Sequence, residues 1–419
     1  MSPAWRILIA ACAIYFLNVG AIYYGLSVML KPLIEDLGWT RAQGTSGYTV
    51  FMLSMGLLGP VVAVLIERID IRNTVLLGCV AILLGAAVGY FTAGLAQFYL
   101  ALALLGFGAT AVTFIPMSQL IARWFTHNRG MGLGILITSA GLGAFVMTPF
   151  FAWVLERTGD WRPLFAIMGA SVPVTVLLTL AILRNRPPLA ASAPAVGAGA
   201  PPVRPSRVYQ SQVDWELMAA LRTRALWIIV AGFGMGVLGL NLVNSQAVLH
   251  LTDQGIGTLV AGAAIGTMGL LSVGGRLGGG ILGDRVEPRL LLALGLLCQA
   301  AGMLVLLTVD RDLLVYGFAL LFGVGFGLGM VTGPLMLANY FGAGSFARIN
   351  AATGVVTMGV TAFGPTIAGH ASDVLGSYTL VFGVFSAVAV ALALPLVLLK
   401  PPPASGPGAG IPVAAAGGA

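Results

Sequence analysis

Apolar stretches of about 20 residues recur from one end of this chain to the other. A run of that length forms a helix long enough to cross the hydrocarbon core of a bilayer. The repetition reads as an all-α, polytopic membrane protein. Composition points the same way. Of the 419 residues, 58% are hydrophobic and only 8% are charged. A soluble chain carries about 25% charged residues, so this one cannot cover a water-facing surface, and a soluble enzyme is nearly excluded. The 58 glycines show no G-X-Y period, which excludes collagen.

Twelve spans are expected: 6–30, 43–66, 74–94, 97–124, 130–155, 162–183, 226–250, 257–283, 289–308, 312–340, 349–371 and 377–399. Several exceed 20 residues, so tilt is expected. The first follows Trp5 and Arg6 and runs to about Met29, too long for a signal peptide, and reads as an uncleaved span. Between the sixth and seventh, Pro187 to Pro205 is rich in Pro, Ala and Gly and reads as a flexible linker. The expected division is a bundle over 1–185, a linker over 186–224, a second bundle over 225–400 and a disordered tail over 401–419. These spans put fifteen of the 21 Lys and Arg on one side and five on the other, with Arg276 on neither. The positive-inside rule makes the richer side cytoplasmic, with both termini on it. It also accounts for the net charge of +7 without nucleic acid. Cys12, Cys79 and Cys298 lie inside apolar stretches, with no disulfide framework or metal-ligand spacing.

The two halves look repeated. Glu67-Arg68 and Arg72 follow span two, as Asp284-Arg285 and Arg289 follow span eight. Span four carries Pro116 and ends Ala122-Arg123-Trp124-Phe125; span ten carries Pro334 and ends Ala338-Asn339-Tyr340-Phe341. Arg129 precedes Thr138 as Arg348 precedes Thr357, nine residues apart in each case. Three correspondences in one order argue for duplication into two pseudo-symmetric six-helix bundles, a common transporter design.

Gly280-x-x-x-Asp284-Arg285 followed by Arg289 resembles the loop signature of the major facilitator superfamily, without its later Gly and double basic pair. The first-half copy has Ala63 and Glu67 in place of Gly and Asp. Two further segments resemble the monocarboxylate transporters and oxalate/formate antiporters of that superfamily. One is Gly38-Trp39-Thr40-Arg41. The other is Trp124-Phe125-x3-Arg129-Gly130-x-Gly132-x5-Thr138-x2-Gly141-x-Gly143. The resemblance covers roughly 6–183 and 226–399. It implies the major facilitator fold, alternating access and an anion-binding Arg in span eight, here Arg276. Two features depart from those relatives. Ser272 stands where animal monocarboxylate transporters have an Asp tied to proton coupling, and span eleven has no Lys.

Arg276 lies eight residues before Asp284, about 12 Å along a helix. A central Arg costs at least about 2.5–3.5 kcal/mol on insertion scales, and no Asp or Glu lies inside an expected span to neutralise it. A guanidinium in that position suits a carboxylate through two parallel hydrogen bonds. The bland alternative is a structural Arg bonded to helix carbonyls. Further candidate substrate contacts are Ser272, Asn241, Asn244, Tyr24, Gln119, Thr138 and Thr357, each of which can equally serve helix packing. His250 is the candidate proton acceptor, since imidazole titrates near neutrality, or else an interfacial His. His127 and His370 read as structural or solvated. Glu67, Arg68, Arg72, Asp284, Arg285 and Arg289 are expected to form cytoplasmic clasps between the bundles. Gly275-x3-Gly279-x3-Gly283 reads as close helix packing, and the dinucleotide-like Gly278-x-Gly280-x2-Gly283 is rejected because no strand precedes it.

The expectation is a secondary transporter of small organic anions, monocarboxylates first among them, working by proton symport or anion exchange. It is not an enzyme: H-E-x-x-H and G-x-S-x-G are absent. The expected partners are the anion, a proton and the lipid bilayer. No cofactor, metal or nucleic acid is expected, and the functional unit is a monomer in a bacterial inner membrane. The rivals are a drug or cation exporter, which usually needs membrane carboxylates, and a non-transporting membrane sensor.

Overall fold

The computed structural model describes residues 3–125, 129–183, 208–211, 213–283, 285–308, 312–342 and 345–402. Among these, eleven helices are long and apolar enough to cross a membrane. Span one is Pro3–Leu37, span five Met131–Thr158 and span six Arg162–Ala181. Span seven is Arg224–Asp253, span eight Thr258–Gly283, span nine Pro288–Leu307, span ten Leu313–Phe341, span eleven Arg348–Leu375 and span twelve Thr379–Leu398. Large apolar side chains such as Leu84, Leu177, Leu313, Val360 and Leu394 remain exposed. On a soluble protein such a surface would drive association; against lipid tails it is the expected exterior.

The count differs from twelve because span two is not one continuous helix. Arg41–Leu57 stops at Leu58, and a helix over Gly59–Tyr90 begins at once. Pro60 has no N–H for the carbonyl of Gly56, so the ladder is interrupted there. Within Gly59–Tyr90, Asp70 has φ 68° and ψ 164°, far outside helical space. The stretch is therefore two helices meeting at a kink. Arg41–Leu57 with residues 59–69 makes span two, and residues 71–90 make span three. Span four breaks in the same way. Leu95–Val112 and Phe114–Trp124 meet at Thr113, where Pro116 supplies no N–H for the carbonyl of Val112.

Glycine sets the packing distances. In span ten, Gly323 packs on Met268 and Gly327 on Ser272, both in span eight. Gly325 packs on Gly295, and Gly329 approaches Leu292, both in span nine. Residues four apart share a helix face, so the alternating glycines give span ten two smooth faces, one for each neighbour. Span four repeats the design: Gly106 meets the backbone of Phe51 in span two, and Gly108 that of Gly78 in span three. Gly275, Gly279 and Gly283 all face span ten, meeting Val324, Leu328 and Leu335, as the small-residue spacing predicted.

The halves meet along two seams. Spans five and eight approach where a Cβ on Gly141 would come within 2.6 Å of the Gly269 carbonyl oxygen, and one on Gly266 within 3.1 Å of that of Ala144. Spans two and eleven approach at Ala42 and Gly369. The last part of the connecting segment also has a fixed place. The Ser211 N–H donates to Asn339 O at 2.7 Å and the Trp215 N–H to Phe341 O at 3.0 Å, tying it to the end of span ten. The rest of the expected linker through Arg207, Gln212, and the tail from residue 403, lie outside the described residues.

A Cβ at Gly327 has no room between spans eight and ten, whereas one at Gly354 meets nothing within 4 Å. We expect Gly327→Ala to lose about 1–3 kcal/mol through overpacking, and Gly354→Ala to change stability little. Thermal unfolding of the two purified variants in one detergent checks this.

Candidate transport site

Arg276 projects from span eight toward span five, where its Nη1 donates to the Ile137 carbonyl at 2.8 Å. Its guanidinium carbon lies 5.8 Å from the ring centroid of Phe326 in span ten. The Nε is buried and has no hydrogen-bond partner. Among the described residues, the ion pairs join Lys31 and Arg41 to Asp253, and Arg162 to Asp36 and Asp160; no carboxylate pairs with Arg276. Tyr15 and Tyr24 of span one lie close enough to feel its charge. Among the described residues, the groups found around this cation are one carbonyl, one aromatic face and two tyrosines. A carbonyl leaves the positive charge uncompensated, which makes the position attractive to an anion.

A second cluster is built by backbone irregularity. Spans one and seven, the first of each half, both contain a π-helical turn, at Val19–Tyr24 and Val243–Ala247. A π turn inserts a residue and re-aims the side chains around it, and such turns are frequent at functional sites. Here they bring the halves together: Tyr23 Oη donates to Asn241 Oδ1 at 3.2 Å. The Tyr23 ring lies edge-on to Tyr24 at 5.2 Å and tilted or edge-on to Tyr48 and Phe51 at 6.1 and 6.2 Å. Span eleven is also broken, between Phe346–Thr361 and Gly364–Leu375. Pro365 there supplies no N–H for the carbonyl of Thr361. Asn241 Nδ2 donates to that oxygen at 3.3 Å, and Gln246 Nε2 donates to Pro365 O at 2.9 Å. Asn244 is fully buried within reach of the Tyr23 and Tyr48 hydroxyls. Neither its amide nor the Tyr48 hydroxyl makes a hydrogen bond of good geometry.

The other expected contacts are scattered. Ser272 is buried on the face toward span ten, and its Oγ donates to Gly269 O of its own helix at 2.6 Å. Thr138 is half-buried beside Ile137, and Gln119 is half-buried in Phe114–Trp124. Thr357 is buried 3.6 Å from the Cβ position of Gly234 in span seven, inside the second half. Tyr24 is buried next to Tyr23. His250 is buried, with Nε2 3.1 Å from Leu306 O and the rings of Tyr378 and Phe382 edge-on at 5.6 and 5.5 Å. Those partners are all in the second half and separate from the contacts of Arg276.

Glu67, Arg68 and Arg285 are exposed. Arg72 donates to Leu180 O at 3.1 Å, and Arg289 donates to Leu399 O, each within its own half. Asp284 and His127 lie outside the described residues. Among the described residues, bonds between the halves toward the end opposite the termini include Thr49 to Thr366 at 2.8 Å and Thr366 to Ser46 at 3.2 Å. Tyr48, Phe326 and the Ile137 carbonyl were not legible as site groups. Nothing in a sequence window marks a π turn, and a carbonyl has no side-chain signature.

The sequence profile of the Major Facilitator Superfamily matches residues 11–359 and 279–416. Monocarboxylate transporter 13 of Bos taurus is 27% identical over 334 residues, 78% of this chain and 73% of its own length. Monocarboxylate transporter 11 of Mus musculus is 27% identical over 402 residues, 91% of this chain and 85% of its own length. The crystal structure of a D-xylose-proton symporter superposes with a TM-score of 0.71 at 16% identity, covering 94% of this chain and 97% of that one. At such identity the superposition speaks for the fold. With a family profile covering most of the chain, relatives aligned along nearly all of it and a matching fold, the chain belongs to the Major Facilitator Superfamily of membrane transporters, related to its monocarboxylate transporters.

Proposed function

We propose that this transporter carries small organic anions, monocarboxylates first among them, and that the substrate carboxylate binds Arg276. The observation that carries this reading is a membrane guanidinium with one carbonyl bond, a buried unpartnered Nε and no acidic partner among the described residues. A carboxylate arriving there gains charge-assisted hydrogen bonds and supplies the missing counter-charge. The names of the relatives agree with this substrate class. One fixed cation suits a monoanion better than a dianion. Tyr24, Asn241 and Asn244 belong to the seam between the halves, and Ser272, Gln119, Thr138 and Thr357 remain the secondary substrate contacts of this reading.

Transport follows by rocking one half against the other, which exposes Arg276 to each side in turn. The end bearing both termini faces the cytoplasm of the inner membrane. Glu67, Arg68, Arg72, Asp284, Arg285 and Arg289 then form the clasp of the state in which that end is shut. The chain works as a monomer, by proton symport or by exchange, with His250 as the titrating group for symport. A cation exporter is disfavoured, because a cationic substrate calls for membrane carboxylates and the acidic residues among the described ones stand at or near helix ends, at the Asp70 kink or in loops.

Two experiments test the reading. Thermal stabilisation by mono- and dicarboxylates measures binding to the native state. We expect certain monoanions to stabilise the wild type and Arg276→Gln to bind them at least about tenfold more weakly, from the loss of a charged hydrogen bond. Arg276→Lys should fall between the two, because it keeps the charge without the planar fork. Wild-type uptake by Arg276→Gln would remove the site assignment. In proteoliposomes we expect His250→Gln to lose uptake driven by a pH gradient while retaining exchange. Unchanged gradient-driven uptake would remove His250 from the mechanism.

A further inference from the structure

The segment Gly38-Trp39-Thr40-Arg41 contributes nothing to the Arg276 site, yet it is built with unusual care. Gly38 ends span one in the left-handed conformation, at φ 63°, which glycine adopts without steric cost. Trp39 packs its ring against Phe98 at 5.3 Å. Thr40 caps span two in a reciprocal box: its Oγ1 accepts from the Gln43 N–H at 3.2 Å, and Gln43 Oε1 accepts from the Thr40 N–H at 2.9 Å. Such a box satisfies the third backbone N–H of a helix and leaves the first two free.

Those two N–H groups are taken by the other half of the molecule. Arg41 N donates to Asp373 Oδ1 at 2.9 Å, and Ala42 N donates to Asp373 Oδ2 at 2.8 Å. A carboxylate from span eleven thus caps span two, where the helix dipole also favours negative charge. The Arg41 side chain reaches across as well. Its Nη2 lies 2.6 Å from Asp253 Oδ2 at the end of span seven, and its Nη1 donates to Tyr378 Oη at 2.7 Å before span twelve. Lys31 holds the other oxygen of Asp253 at 2.9 Å.

We propose that Asp253 and Asp373, gripped by the Gly38–Arg41 segment, are the gate at the end opposite the termini, holding it shut in one state of the transport cycle. Two physical features make this closure reversible. The charged groups are partly exposed, Arg41 and Asp253 by 30% each, so water replaces their bonds when the halves part. Behind the gate, the buried Asn244 amide and Tyr48 hydroxyl make no hydrogen bond of good geometry, and water entering on opening completes their bonds. The clasp favours the shut state and the unsatisfied layer beneath it favours the open one. Removing the clasp therefore shifts the equilibrium toward the open state.

The test reads distance in the full chain without substrate, so it is independent of the Arg276 assignment. Cys12, Cys79 and Cys298 are replaced by Ala, and spin labels are placed on Ala93→Cys and Thr308→Cys, both exposed at this end and in opposite halves. In Asp253→Asn/Asp373→Asn we expect the ratio of longer to shorter distances to rise about tenfold or more. Asp160→Asn, whose partner Arg162 lies in the same half, leaves the ratio unchanged. Tyr378→Phe keeps the ring, removes one hydrogen bond and gives a smaller shift in the same direction, which serves if the double variant proves too unstable to label. An unchanged ratio in both gate variants, or an equal rise in Asp160→Asn, overturns the proposal.

Discussion

A carbonyl without an N–H to accept from is costly inside a bilayer, because no solvent can replace the missing bond. This molecule creates such carbonyls repeatedly. Pro60, Pro116 and Pro365 each interrupt a span and release the carbonyl four residues earlier. The break in span eleven then dictates what stands next to it. Asn241 and Gln246 of span seven donate to Thr361 and Pro365, so a polar stretch that looks out of place in an apolar helix is bonded to a neighbouring backbone. Asn241 also accepts from Tyr23 of the other half. One backbone defect is thereby connected to the contact between the two halves.

Arg276 belongs to the same account with the sign reversed. Among the described residues it is a surplus of donors beside a single carbonyl, in a position where span eight is flanked by glycine contacts on two sides. Gly275 and Gly279 bring it against span ten, and Gly266 and Gly269 bring it against span five. The guanidinium reaches the Ile137 carbonyl across that second seam. The carbonyl bond is the structural role that a lone membrane Arg could have had. The unpartnered Nε, and the lack of a paired carboxylate among the described residues, are what such a role leaves over. Both facts hold together, and the proposed anion-binding role rests on the second.

The chain's repeats explain why its halves are similar and also why they are not equal. Span four lies on spans two and three through Gly106 and Gly108 much as span ten lies on spans eight and nine. Both first spans carry a π turn. Yet span two bends at Leu58, while its counterpart, span eight, runs unbroken through Arg276. The repeated frame recurs in both halves, and the differences between the copies put the charge in one of them.

The membrane class, the helical fold and the packing role of the glycine spacings were legible in the sequence, because hydrophobic length and small-residue periodicity are local properties. Arg276 stood out for the same reason: a charge in an apolar run is anomalous wherever the helix ends up. The break at Leu58 could have been read from Pro60, which a window of mean hydropathy hides. Other features depended on neighbours that are distant in sequence. The π turns, the orphaned Asn244, the Ile137 carbonyl under Arg276 and the capping of Arg41 and Ala42 by Asp373 acquire meaning only when residues hundreds of positions apart meet. Local chemistry decided that this chain spans a membrane as a bundle and where its anomalous charge lies. Tertiary structure decided which groups face that charge and which close the end of the bundle, because hydrogen bonds are satisfied between helices and not along them.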